Sequence, residues 1–264
     1  MSAEHLLYLK KLRRRGLLIR AVRLTLLFAL LAFWELGGRL GAMDPFIVSS
    51  PLRVARTLAS LVSRGELFPH IAATLYETVL GFLLGTIIGV AAAVLLWFCP
   101  FMERVMDPAL VVLNALPKIA LGPILIVWVG AGAEAIIVMA LLVSTVVTVM
   151  TVLAGFMEIT GEKQQLMTSL GAARTQTFIK VVLPASMPTI MSALKISVGM
   201  SWVGVIVGEY LVSKRGLGYL IVYGGQVFKL DLVMASITVL CALAAIMYYA
   251  VAAFEKRVNR RFGR

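Results

Sequence analysis

The side chains in this sequence that could do chemistry are few, and their spacing excludes most of what they could do. His5 and His70 are too few and too far apart for metal-ligand spacing. Cys99 and Cys241 sit in or beside apolar runs and read as small core residues, not as ligands or a disulfide pair. No G-x-x-x-x-G-K-[ST] loop is present to cradle a nucleotide. No nucleophile is spaced with a base, and the apolar segments supply no carboxylate–histidine relay of the kind a proton-coupled carrier uses. What remains is a cation in "NALPKIALGP": Lys118 lies between Pro117 and the Gly122-Pro123 pair. Each proline removes a backbone donor and disturbs the turn before it. Irregular backbone at membrane depth survives only where protein or a water-filled cavity surrounds it. Asn114, Pro117 and Lys118 are therefore candidate pathway residues for an anion; the alternative is that Lys118 snorkels to an interface. Glu209, near the outer end of a later run, is a further pathway candidate, with a solvated or structural role open for it as for Glu134.

The elements that must position these residues follow from composition. Of 264 residues, 61% are hydrophobic, against about 45–50% in a typical soluble domain. Six runs are close to the roughly 20 apolar residues that cross a hydrocarbon core, at about 20–40, 71–98, 109–129, 133–156, 189–212 and 232–254. The expected fold is all-α and membrane-embedded, with six transmembrane helices. The net charge of +12 gathers at the chain ends and not in a patch interleaved with aromatics, which argues against nucleic acid. Lys10, Lys11, Arg13, Arg14, Arg15, Arg20 and Arg23 precede the first run or open it, and Lys256, Arg257, Arg260, Arg261 and Arg264 follow the last. Such basic flanks stay cytoplasmic, so both termini are expected inside, which requires an even number of spans. The first run lacks a small-x-small cleavage site and reads as an uncleaved span, not a signal peptide.

On this topology 41–70 faces outward, with a surface helix starting after Ser50. Residues 99–108 form a short inner turn, 130–132 a tight outer turn, and 214–231 an outer segment apolar enough to lie along the membrane. Gly81, Gly85 and Gly89 recur every four residues, as do Gly204 and Gly208, which lines one helical face with small residues for close helix contact. No inverted internal repeat is visible.

One stretch fits no span. "EKQQLMTSLGAARTQTFIKVVLPASMP", at 162–188, is polar in its first half and carries two prolines. From Gln164 to about Phe178 it is expected to be one helix, with Leu166, Leu170 and Ala173 on one face and Met167 beside them; Pro184 and Pro188 end it before the fifth span. A cytoplasmic helix fixed between two spans suits docking of a soluble partner. With no nucleotide loop in the chain, energy for any transport must come from another polypeptide.

"LGAARTQTFIKVVLPASMP" resembles the cytoplasmic loop, the EAA motif, of importer permeases of the ATP-binding cassette (ABC) superfamily. Gly171 matches the motif glycine and Leu183-Pro184 its terminal pair. "LPKIALGPILIVWVGAG" and "GEYL…GLGYLI" resemble, within that superfamily, the permeases for nitrate, alkanesulfonate and taurine. The resemblance covers about residues 70–255. It implies a type I importer permease fold with a cytoplasmic coupling helix in the inner membrane. It divides the chain into a basic N-terminus, first span and outer loop (1–69), the transmembrane domain (70–255) and a basic cytoplasmic tail (256–264). It implies a homodimer, two ATPase subunits that bind ATP and Mg, and an extracytoplasmic solute-binding protein, with no cofactor and no catalysis in this chain. Gln165, Leu166, Met167, Leu170, Gly171, Ala172 and Arg174 are the implied ATPase-coupling residues. Gln165-Leu166-Met167 stands where the family usually has Glu-Ala-Ala, so hydrogen bonding and apolar burial are expected to replace an acidic contact. A stand-alone carrier or channel and a membrane-embedded enzyme are the competing classes.

Overall fold

Prolines and glycines cut the apolar runs into helices. The computed structural model describes the backbone of residues 3–40, 48–159 and 161–262. Residues 41–47 of the expected outer loop, the first two and last two residues, and the side chains of much of the basic N-terminal flank lie outside the described residues. The helices are α1 (Ala3–Arg39), α2 (Pro51–Ser63), α3 (Leu67–Phe98), α4 (Pro100–Ala115), α5 (Gly122–Val129), α6 (Ala133–Glu158), α7 (Glu162–Ser169), α8 (Met187–Val212), α9 (Leu217–Gln226) and α10 (Leu230–Phe262). Shorter helical turns fill Lys118–Leu121 and Arg174–Ala185, and the described residues contain no strand.

Among the described residues five helices are long and apolar enough to cross a membrane, or six if the bent pair Pro100–Ala115 and Lys118–Val129 is counted as one span. That pair is where the structure departs most from the expected third span. Its two parts meet at 88°, because Leu116 is extended before Pro117 and the chain re-forms only as a single 3-10 turn. The expected inner turn at 99–108 is also helical. Pro100 opens α4 at its first turn, where no backbone donor is needed, and Pro108 is carried inside the helix.

Helix α6 is the centre of the bundle and packs most extensively against α3 and α8. The glycine faces explain how. A Cβ at Gly81 would lie 2.6 Å from Ala140 Cβ, and one at Gly89 2.7 Å from Thr148 Cβ. From the other side, Cβ atoms at Gly204 and Gly208 would lie 2.5 Å from Ala140 Cα and 3.0 Å from Ile136 Cα. Gly85 faces Ser144 in the same row. Both glycine stripes thus lie against one helix of the same chain, letting three backbones approach closely around Ala140. Buried hydroxyls in this layer return their protons to the preceding turn: Ser144 donates to Ala140 O, Thr148 to Ser144 O and Ser201 to Ser197 O.

At one end of the bundle α2 and α9 lie over α10 and α3. Ser50 caps α2, and Arg53 pairs with Asp231 at 2.9 Å in the first turn of α10. At the opposite end sits α7. Cys99 and Cys241, expected in the core, are exposed on the protein surface; both belong to lipid-length helices or their ends, whose outer faces are apolar and unburied.

Candidate functional site

The long segment between α6 and α8 is folded into short helical pieces, and its first turn is set by one glycine. Helix α7 ends in a Schellman geometry: Gly171 N–H donates to Thr168 O and Ala172 N–H to Met167 O, both at 3.0 Å. Gly171 has φ of +75°, the left-handed conformation such an end requires. Nothing lies within 4 Å of where its Cβ would be, so the requirement is conformational and not one of close approach. This turn breaks the single helix expected over 164–178: α7 stops at Ser169 and helix resumes only at Arg174.

Beyond the turn the chain is clamped to the bundle. The Arg174 guanidinium donates to Trp97 O at 2.7 Å and stands 5.1 Å from the centre of the Trp97 ring. Phe178 is buried among Trp97, Phe98 and Phe156, with ring centres 4.9, 5.2 and 5.3 Å away. Val182, Ile190 and Met191 continue that cluster into α8. Pro184 and Pro188 do not end the helix as expected. A π turn over Phe178–Val182 precedes Pro184, which sits in a first turn, as does Pro188 at the start of α8. Ser186, fully buried, donates to Gly155 O of α6 at 3.1 Å. The loop is thus anchored to α3, α6 and α8 by contacts of its own residues.

The face turned away from the bundle is apolar and uncovered. Leu166 is 62% exposed and Leu170 72%, one helical turn apart. Gln165 is exposed, while Met167 and Ala172 are half-buried. Between α7 and the ends of α3 and α4 lies an open cleft of about 700 Å³, lined by Trp97, Pro100, Glu103, Thr168, Ala172 and Arg174 among others. The arrangement joins an exposed apolar face to a segment anchored on the bundle. It offers no catalytic constellation, and the described residues hold no group of three metal-ligating side chains.

The other sequence candidates lie elsewhere. Lys118 Nζ donates to Asn114 O at 3.0 Å, capping the carbonyl end of α4 beside Pro117, with Asn114 exposed. Glu209 is 1% exposed, and its carboxylate turns to α9: it accepts from Thr74 Oγ1 at 2.6 Å and from Gly218 N at 2.5 Å. The structure thus directs this pathway candidate into a buried contact and not toward an open cavity. Two residues near it, Thr74 and Glu77, went unread in the sequence, and His70 was weighed only as a metal ligand. His70, Thr74 and Glu77 lie on one face of α3, at spacings of four and three, and meet Glu209 and the start of α9. Glu77 inside the apolar run 71–98 was the available signal. Trp97 and Phe178 gave no signal beyond hydrophobicity.

A family model described as the binding-protein-dependent transport system inner membrane component matches residues 85–262. The chain is similar to a putative aliphatic sulfonates transport permease protein of Bacillus subtilis, 28% identical, with 92% of this chain and 86% of that protein covered. A probable ABC transporter permease protein of Haemophilus influenzae is 31% identical over 86% of this chain and 92% of its own length. The taurine transport system permease protein of Escherichia coli is 26% identical over 96% and 94%. In fold, the chain is similar to a chain of the MetNI methionine ABC transporter solved in inward-facing conformations, with TM-score 0.65 and 22% identity, covering 73% of this chain and 95% of that one.

Proposed function

The chain belongs to the family of inner membrane components of binding-protein-dependent transport systems, and from that premise we propose that two copies of it form the pathway of an ATP-driven importer for a small anionic solute. Each copy offers the α7 face and Arg174–Ala185 segment to one ATPase subunit on the cytoplasmic side. A binding protein delivers solute at the α2–α9 end, and both termini are cytoplasmic. The observation that carries this reading is the pairing of an uncovered Leu166–Leu170 face with a firmly clamped root at Arg174 and Phe178. Closure of the ATPase pair on ATP would push a lever that cannot fold away from the bundle. The names of relatives that carry sulfonates and taurine, with Lys118 at the break in the bent span, support an anionic solute of that type. Asn114, Pro117 and Lys118 are assigned to its path.

The test is uptake of labelled sulfonates, taurine and nitrate into vesicles holding this chain with its ATPase, with binding protein added outside. Uptake that needs both ATP within and binding protein without is the expected result. Uptake driven by an ion gradient with no ATPase present overturns the reading.

A further inference from the structure

A second open cleft, of about 420 Å³, lies at the α2–α9 end of the bundle, away from the coupling loop. Its first wall is one face of α2, where Arg56, Thr57, Ser60 and Leu61 recur at helical spacing and Arg64 follows just past the helix end. Two sets of contacts fix that face. Arg53, one turn earlier in the same row, is held by Asp231 of α10 at 2.9 Å, and the Ser49 hydroxyl donates to the same carboxylate at 2.7 Å. At the other end Gly65, with φ of +70°, turns the chain, and Glu66 N–H donates back to Leu61 O at 3.0 Å. The opposite wall is Leu220 and Tyr223 of α9 with Lys229 of the turn into α10. That turn is tight: Lys229 N–H donates to Gly224 O at 2.8 Å, and a Cβ at Gly224 would stand 2.9 Å from Val233 Cγ2. Beneath, Leu220 and Leu232 belong to a buried cluster with Leu67 and Leu217, against which Leu61 packs.

The cleft is cationic. Arg56, Arg64 and Lys229 line it, all exposed, against one carboxylate, Glu66. Glu66 stands at the N-cap of α3, where the helix dipole favours an anion. The ion pairs among the described residues, Arg39–Glu35, Arg53–Asp231 and Lys195–Glu255, include none of the three cations. The hydroxyls of Thr57, Ser60 and Tyr223 add hydrogen-bond donors on the same walls, and the leucines supply an apolar floor. A guanidinium binds an oxyanion through paired N–H donors, and an ammonium adds a point charge. The volume falls within the roughly 300–1,000 Å³ of small-ligand pockets. Cations at the rim with leucines below suit an oxyanion that carries an apolar chain better than a bare inorganic anion, and they repel a cation.

We propose that this cleft is a binding site for an amphiphilic oxyanion: a sulfonate or phosphate group held by Arg56, Arg64 and Lys229, with its apolar chain on Leu61, Leu220 and Leu232. Two sources carry that chemistry, a free organic sulfonate and the headgroup of an anionic phospholipid. The site needs neither ATP nor the coupling loop, so its failure leaves the transport reading standing, and failure of that reading leaves the site intact.

The test is binding to the full complex in phosphatidylcholine nanodiscs, without nucleotide. One arm adds butanesulfonate, with butanol as its neutral control, and reads binding by calorimetry. The other titrates phosphatidylglycerol into the discs and reads retained lipid by native mass spectrometry. In both arms phenylglyoxal modification of Arg56 and Arg64 is mapped by peptide mass spectrometry, a readout that needs no variant. At least one anion is expected to bind and to slow modification of both arginines. Arg56→Gln with Lys229→Gln should weaken that binding at least about tenfold, whereas Arg104→Gln, which removes an exposed cation on α4, should leave it unchanged. Protection by butanesulfonate alone assigns the site to a free solute, by phosphatidylglycerol alone to lipid, and by both to the shared oxyanion; each supports the proposal. No protection by either anion, equal protection by butanol or phosphatidylcholine, or unchanged binding in the double variant overturns it. Protection seen only with an added solute-binding protein makes the cleft a protein-docking surface and overturns it as well.

Discussion

Replacing Gly171 tests the coupling loop by conformation alone. The residue holds φ at +75° at the end of α7, with open space where a side chain would go. A substitution therefore meets no clash, and its cost is the left-handed backbone itself, about 1–2 kcal/mol for an ordinary L-residue. That shifts the balance between the native turn and alternatives by about 5–30-fold. β-branched valine stands at the upper end, alanine below it, and asparagine, which tolerates this conformation, stays near glycine. If the turn aims Leu166 and Leu170 at the ATPase, the order Gly, Asn, Ala, Val must appear in function. The assay is twofold: ATPase retained on affinity-purified complex, and solute moved per ATP hydrolysed in vesicles. Gly171→Val is expected to lose most of the retained ATPase or most of the coupling, with the chain still inserted. Gly171→Val equal to wild type in both readouts refutes the assignment of this loop as the coupling element.

Other expectations follow from the same contacts. Leu166→Asp with Leu170→Asp places two charges on the exposed face and should release the ATPase without lowering the melting temperature of the isolated chain. Because Gln165-Leu166-Met167 carries no charge, ATPase retention on the wild type should change little across a salt series, whereas a charge-paired interface would weaken. Phe178→Ala empties the aromatic cluster and should destabilise the chain by about 3–5 kcal/mol, read as a lower melting temperature in detergent. Lys118→Met should slow uptake of an anionic solute with assembly intact; unchanged uptake would leave Lys118 as a cap on α4. With Cys99 and Cys241 replaced by serine, Ser63→Cys should label from outside and Lys256→Cys should not.

Much of the architecture could be read from the sequence because it rests on one-dimensional signals. Runs of apolar residues fix helix existence, and glycines every four residues mark faces that approach closely, here Gly81 and Gly204 on the same Ala140. Ser50 before Pro51 announces α2 through capping chemistry. What stayed hidden depends on three-dimensional compensation. The prolines at 184 and 188 predict a helix end, yet a π turn absorbs the first and the second falls in an opening turn. The 88° bend after α4 needs the geometry of Leu116-Pro117, which spacing alone does not give. Arg174, chosen as a coupling residue, spends its guanidinium on Trp97, distant by 77 positions in the chain. Glu209 stood as a pathway candidate, with a solvated or structural role open, because its partner Thr74 comes from another helix. Local pattern reveals which face is apolar; it does not reveal which buried polar group another element has satisfied.

The central claim is that this chain is the membrane half of an ATP-driven importer, docked to its ATPase through the α6–α8 loop. Native mass spectrometry of the complex extracted from its own membrane, with the tag on this chain, tests it most directly. The account predicts a particle with two copies of the chain and two copies of an ATP-binding subunit, reduced to the membrane subunits when Leu166 and Leu170 are both changed to aspartate. A particle of this chain alone that still moves solute, or an ATPase that stays bound to the double variant, would contradict it.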